Sequence, residues 1–273
     1  MRFGIYVPVA GEYDVATVAA LAGEAEELGW DGVFVWDNIL ATFDGTGILA
    51  DTTVALTAIA LATERIHFGP LVTPLTRRRP WKVAKEMSTL DRLSGGRLVF
   101  GAGLGGTWDF APFDEAPPGT ERAVALDEAL DVITALWSGD DVHYRGRHYT
   151  VDGARMLPSP IQRPRIPIWT AGYWPGAGPF RRAARWDGMA PLRKGHQFAG
   201  LSPNEVADCL AYVQNFRRSE AHFDVVAFQT QPDQHGRIPE YEEAGATWWL
   251  ESTNPVSERL AEFRARVRAG PPK

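Results

Sequence analysis

Three side chains in this sequence have the type and position to do chemistry without a metal. Asp37 and Asn38 stand together at the end of one β-branched and aromatic run, and Thr73 closes another. A carboxylate, a carboxamide and a hydroxyl at such ends can hydrogen-bond a polar substrate or a ring, and of the three only the carboxylate titrates in the ordinary range. Two glycine-bearing stretches could hold a phosphate. Gly101-x-Gly103-x-Gly105-Gly106 follows a strand pattern, but the residues after it read as irregular, and close packing at a crowded strand end explains its glycines equally well. The run Ala171-Gly172-Tyr173-Trp174-Pro175-Gly176-Ala177-Gly178-Pro179 leads directly into a helical pattern over Phe180–Arg185, and backbone amides at a helix N-terminus are a natural phosphate seat. The strand ends carry no Cys/His cluster at metal-ligand spacing, no G-x-S-x-G nucleophile elbow and no close pair of carboxylates. Hydrolysis by a metal, a serine or two acids is therefore unsupported, and a bound cofactor that carries the reaction fits better.

Groups of this kind must be gathered by elements that deliver many strand ends to one place. Short apolar runs alternate with amphipathic segments throughout the chain. Strands are predicted at Arg2–Val7, Gly32–Trp36, Ile66–Thr73, Arg97–Ala102, Ile168–Ala171, Gly188–Leu192, Phe223–Gln229 and Thr247–Leu250. Helices are predicted at about Asp14–Leu28, Thr52–Thr63, Pro80–Leu93, Glu121–Trp137, Phe180–Arg185, Ser202–Arg218, Pro239–Ala244 and Val256–Val267. Val142–Thr150 breaks the rhythm and reads as a small hairpin. Eight strand–helix units predict an α/β fold, a (β/α)₈ TIM barrel, forming a single domain over residues 1–273 with a short hairpin excursion before strand five. In such a barrel the reacting groups collect at the C-terminal ends of the strands, which is where Asp37, Asn38, Thr73 and both glycine stretches fall.

The bulk properties agree with this reading. The chain has 273 residues, 45% of them hydrophobic, and a net charge of −6, which argues against an extended nucleic-acid footprint. Cys209 is the only cysteine, so no internal disulfide can form; on its helix it is expected to be buried and inert. No apolar run has the length of a membrane span, the N-terminus reads as a strand rather than a leader, and a cytoplasmic setting is expected. Trp36, Trp108, Trp169 and Trp174 are placed near the rim, where they could wall an aromatic pocket. Trp30, Trp81, Trp137, Trp186 and Trp248 are read as packing residues. His196 is the histidine best placed for acid–base work. Arg77-Arg78-Arg79 reads either as an anion clamp or as a solvated turn or subunit contact, and Arg193 could supply charge to a phosphate.

At these residues the sequence resembles the bacterial-luciferase-like (luciferase-like monooxygenase) superfamily of flavin- and deazaflavin-dependent oxidoreductases. The most specific part of the resemblance is Val72–Trp81 continued by Thr89-Leu90-Asp91-Arg92-Leu93-Ser94-Gly95-Gly96-Arg97-Leu98. Ala25–Gly32, Ala62–Ile66, Leu126–Leu130, Leu136–Gly139 and Ala183–Gly188 extend it, so that residues 1–192 are covered well. The resemblance implies a barrel that binds FMN or a deazaflavin with its phosphate near Gly172, Tyr173, Trp174, Gly176 and Ala177. It also implies contacts from Gly103 and a non-proline cis peptide at Leu71-Val72 against the ring. Two departures stand out. The family's deazaflavin dehydrogenases commonly have Asp-His after strand two, where this chain has Asp37-Asn38, and the luciferase branch has Cys-Arg where this chain has Gly103-Leu104.

With no histidine beside Asp37, the resemblance implies first a monooxygenase that uses reduced FMN and oxygen on a small organic substrate, with Asp37, Asn38 and Thr73 supplying hydrogen bonds. A flavin reductase would then be a partner, and a homodimer is also expected. The alternatives are hydride transfer through the deazaflavin coenzyme F-420, and a non-catalytic barrel that binds a flavin without turnover.

Overall fold

The computed structural model describes residues 1–40, 49–115, 117–195, 199–254 and 257–272. Its main sheet is parallel, in the order β3-β2-β1-β11-β10-β9-β8-β5-β4. The strands are β1 (Arg2–Val7), β2 (Gly32–Val35), β3 (His67–Pro70), β4 (Thr73–Pro74), β5 (Phe100–Gly103), β8 (Ile168–Trp174), β9 (Gly188–Arg193), β10 (Asp224–Thr230) and β11 (Trp248–Ser252). The predicted third strand, Ile66–Thr73, is interrupted at Leu71-Val72, whose peptide bond is cis, and resumes as β4. Counting β3 and β4 as one strand leaves eight. The two edges meet where Val99 N–H donates to the Phe68 carbonyl (2.9 Å) and Phe68 N–H to the Arg97 carbonyl (3.3 Å), so the sheet closes into a TIM-barrel-like α/β fold.

The closing seam is tight because of Gly69. A Cβ there would collide with the Val99 carbonyl oxygen, so only glycine lets the two strands approach. Arg97 locks the seam from outside. Its guanidinium donates to the carbonyls of Ala60, Thr63 and Ile66 and to Thr63 Oγ1, all between 2.7 and 3.0 Å, tying the end of α2 (Thr52–Ala62) to the start of β3. The Asp91 carboxylate, fully buried near the end of α3 (Pro80–Leu93), accepts from the amides of Ile161 and Gln162 and from Gln162 Nε2, which anchors the connection into β8.

The helices start where the sequence provides caps. Asp14 accepts from Thr17 N–H ahead of α1 (Val15–Glu27), and Asp51 from Val54 N–H ahead of α2. Ser202 and Glu205 form a capping box at α7 (Pro203–Gln214). The hairpin β6 (Val142–Arg145) and β7 (Thr150–Ala154) is antiparallel, as predicted. It is held against α5 (Gly119–Ser138) by the Glu128 carboxylate, which accepts the amides of Arg147, His148 and Tyr149 at 2.7, 2.8 and 3.1 Å. After Gly106 the sequence was expected to be irregular; instead Gly106 opens the one-turn α4 (Thr107–Phe110), followed by a 3-10 turn over Ala111–Phe113. The last helix, α9, covers Leu260–Arg268, shorter than the predicted Val256–Val267, whose first residue lies outside the described ones.

Alternation along the strands divides the apolar residues between two layers. Ile5, Val33, Val35, Phe100 and Ala102 face the helices, whereas Phe34, Trp169, Trp248, Leu250, Val226, Phe228, Tyr6 and Trp36 fill the lumen. Trp248 packs in the core as expected, whereas Trp169, expected near the rim, does not reach it. Trp169 lies deep in the lumen, stacked on Phe34 with centroids 5.1 Å apart, and Trp248 meets both rings edge-on. The two indole N–H groups donate to the Asp224 carboxylate at the start of β10. Trp174 leaves the rim to pack on Phe180 and Tyr212, and Trp81, expected to be packed, is 43% exposed.

Candidate active site

The C-terminal ends of the strands surround an apolar floor. Tyr6 and Trp36 top the lumen, with ring centroids 5.7 Å apart, and Val72, Ala171 and Leu192 lie partly buried against them. The Tyr6 hydroxyl donates to the Leu71 carbonyl at 2.8 Å, fixing the interrupted third strand to this floor. Val72 in turn packs on Gly103, where any Cβ would strike its methyl group. Gly103 is thus accounted for by packing, and no polar contact marks it as a ligand group.

Asp37 and Thr73 sit side by side on one flank of the floor. Burial pushes the Asp37 carboxyl above the usual carboxylate range, against the opposing pull of Arg78, Thr73 and Arg77. The Arg78 guanidinium reaches Asp37 at 3.3 Å and Thr53 Oγ1 at 3.2 Å. The Thr73 hydroxyl, 1% exposed, lies close enough to favour the charged carboxylate but meets no hydrogen-bond geometry with any described residue. A buried hydroxyl without a partner is costly, so its bonding capacity is available to a ligand. Asn38 is half-buried next to Asp37.

Neither reading of the arginine run holds for its first two members. Arg77 is buried and paired: it donates to Asp109 Oδ2 at 2.7 Å and to the Asp109 carbonyl at 2.9 Å, and lies over the Phe110 ring. The same Asp109 carboxylate accepts the amides of Ile39 and Leu40. Asp109 thus joins the segments after β2, β4 and β5 around one buried charge pair. Sequence reasoning passed over it because nothing local distinguishes it: the signal is the convergence of three strand ends, which appears only when the barrel closes.

On the opposite flank, β8 ends at Trp174, and Gly176 opens the short α6 (Ala177–Ala183). Gly172 lies against the Pro179 ring, and a Cβ on Gly176 would sit 2.6 Å from the Tyr173 carbonyl oxygen, so both glycines are needed to fold the turn back on itself. No side chain caps this turn, and among the described residues the amides of Ala177 and Gly178 have no acceptor. A Cβ on Gly178 would meet open space. Amides without acceptors at a turn that faces open space are the kind of donors a phosphate needs. Tyr173 is 54% exposed beside it. Arg193, aligned with Trp174 across the sheet, is not a free charge for that phosphate: it is ion-paired to Glu205 and donates to the Gly200 carbonyl at 3.1 Å. His196 lies outside the described residues. Among the described residues no group of His, Cys, Asp and Glu is arranged to hold a metal, and no helix is long and apolar enough to cross a membrane.

The sequence matches the family described as luciferase-like monooxygenase over residues 1–228. It is 32% identical over 179 residues to an F420-dependent glucose-6-phosphate dehydrogenase from Nakamurella multipartita, a match covering 65% of this chain and 52% of that protein. The chain thus spans about half the length of the curated relatives it matches. The fold resembles an F420-dependent secondary alcohol dehydrogenase in complex with an F420-acetone adduct, with a TM-score of 0.81, 16% identity and 97% of both chains covered. It also resembles the coenzyme F420 dependent tetrahydromethanopterin reductase of Methanopyrus kandleri, with a TM-score of 0.78, 18% identity and 98% of both chains covered. Matched by sequence along most of its length, and closed around a floor flanked by Asp37, Thr73 and an uncapped glycine turn, the chain belongs to the luciferase-like monooxygenase family of flavin- and deazaflavin-dependent oxidoreductases.

Proposed function

We propose that this protein is a deazaflavin-dependent oxidoreductase that moves a hydride between coenzyme F-420 and a small organic substrate, in preference to the reduced-FMN monooxygenase that the missing histidine first suggests. The observation that carries this reading is that the curated relatives are F420-dependent dehydrogenases. Monooxygenase chemistry is supported by the family description and by structural likenesses below 25% identity. Hydride transfer requires no oxygen and no flavin reductase, so that partner belongs to the second reading only. Pairing of two copies stays within the proposal, with Val54 and Leu61 exposed on the outside of α2.

The amides of Ala177 and Gly178 would hold the coenzyme's phosphate, and Val72, Ala171 and Leu192 would lie beneath its ring and exclude water. When bound, the coenzyme supplies a two-electron centre that accepts or donates a hydride. Asp37 takes the acid–base role open at this site. Its buried carboxyl, held by Arg78, can keep a proton on a substrate oxygen or take one from it. Thr73 offers its unpaired hydroxyl to the same oxygen, and Asn38 orients the substrate without titrating.

Titration of the purified protein with F-420 and with FMN tests the reading. Saturable binding of F-420, with FMN at least tenfold weaker, is expected. Gly178→Asp, which places a carboxylate where the phosphate would sit, is expected to weaken F-420 binding about tenfold or more while leaving the far-UV spectrum unchanged. Tight FMN binding that Gly178→Asp does not affect would overturn both the coenzyme and its seat.

A further inference from the structure

One strand along the rim from the glycine turn, the ends of β9 and β10 flank an open cleft of about 310 Å³, lined by Arg193, Ala199, Gly200, Gln229, Gln231, Asp233 and Gln234. Its wall is built by an irregularity. The pairing of β10 with β11 slips between Ala227 and Thr230, and Gln229 takes a left-handed φ of 60°, uncommon for a residue with a side chain. Gly200 allows the facing loop to lie against this bend, since a Cβ there would sit 2.5 Å from the Phe228 carbonyl oxygen.

Two complementary amide atoms are left over. Gln229 is 6% exposed, and its buried Oε1 has no hydrogen-bond partner among the described residues. Gln231 uses its side chain to cap the following turn, and its buried Nε2 also has none. An acceptor and a donor that do not satisfy each other, on two residues that line one cleft, match a ligand group that offers both a donor and an acceptor. The charge in the cleft points the same way. Arg193 is the cation lining it among the described residues, and Glu205 and the Gly200 carbonyl already engage its guanidinium, while Asp233 adds a negative charge.

Resting on the hydride-transfer reading, we infer that this cleft selects a neutral polar substrate group, a carboxamide or a hydroxyl, and disfavours a phosphate ester. It thereby sets the chain apart from relatives named for glucose 6-phosphate. Glu205 acts as the specificity-determining residue by occupying the one arginine that could bind the anion.

The test uses F-420-loaded protein and side-chain amide NMR signals of Gln229 and Gln231, titrated with propionamide, glucose and glucose 6-phosphate. Saturable shifts with the two neutral probes are expected, with glucose 6-phosphate at least tenfold weaker than glucose. Gln229→Leu, or Gln229→Ala should the leucine variant not fold, is expected to weaken the neutral probes about tenfold without changing F-420 affinity. Glu205→Gln keeps a side chain able to cap α7 while releasing Arg193, and is expected to bring glucose 6-phosphate to parity with glucose or above it. Tighter binding of glucose 6-phosphate than glucose by the unaltered protein, or neutral-probe affinity untouched by the Gln229 variants, would overturn the inference. Failure to bind F-420 would instead remove the hydride-transfer reading, and the same probe series on the unloaded protein would still decide what the cleft prefers.

Discussion

At the scale of single residues, Asp37 is the group to which the proposed chemistry gives the acid–base role, and its environment makes a definite prediction. Burial raises its carboxyl above the ordinary range, so the folded protein holds this proton more firmly than the unfolded chain does. The associated stability is present below the unfolded value of about 4 and is lost as pH rises through the folded value. Urea midpoints of the unaltered protein, measured relative to Asp37→Asn, should therefore fall as pH is raised from about 4 towards neutrality; parallel profiles would show that Asp37 is not held as described. Asp37, Asn38 and Thr73 could be placed at strand ends from the sequence because short apolar runs alternate with helical segments along the chain. The placement of Arg77 and Arg78 could not. Three consecutive arginines look like a solvated cluster, and only the closed barrel shows that Asp109 buries the first and Asp37 engages the second.

Among the elements, the hairpin that interrupts the strand–helix rhythm is attached to α5 by Glu128 and by ion pairs of Arg147 and His148 with Glu121, while its Val142, Tyr149 and Val151 join the core. Burial works against the charged form of Glu128, but the amides of His148, Arg147 and Tyr149 outweigh it and lower its pKa. Its contribution to stability is therefore present above the usual glutamate value and lost as pH falls through the lowered one. Glu128→Gln should cost about 1–2 kcal/mol and hasten proteolysis between Arg145 and Tyr149, read by limited digestion; unchanged cleavage would mean that the Glu121 ion pairs and the apolar contacts hold the hairpin without it. Two local features escaped sequence reasoning. The one-turn α4 is too short to show a helical period, and the register slip beside Gln229 leaves no local pattern of apolar residues, whereas the cis bond at Leu71-Val72 is the one the family resemblance implies.

For the molecule as a whole, closure of the sheet depends on one seam where β3 meets the approach to β5. Gly69→Ala drives a methyl group into the Val99 carbonyl and should cost more than about 3 kcal/mol or abolish soluble expression. Gly119→Ala, which projects into open space at the start of α5, should leave stability unchanged or raise it by about 0.5–1 kcal/mol. Equal thermal midpoints for the two variants would argue against the seam as drawn. Eight strand–helix units made the architecture legible, and the motif through Asp91, Ser94 and Arg97 proves to be a fastening of that architecture rather than part of its chemistry. The buried Arg77–Asp109 pair has a different kind of consequence. Because one carboxylate serves segments following three separate strands, a change in any of them is felt by the other two, and substitutions there should combine non-additively. The selectivity inferred for the cleft at β9 and β10 rests instead on Gln229 and Arg193, which share no hydrogen-bond partner among the described residues, so on that reading descendants of this scaffold can revise it one residue at a time.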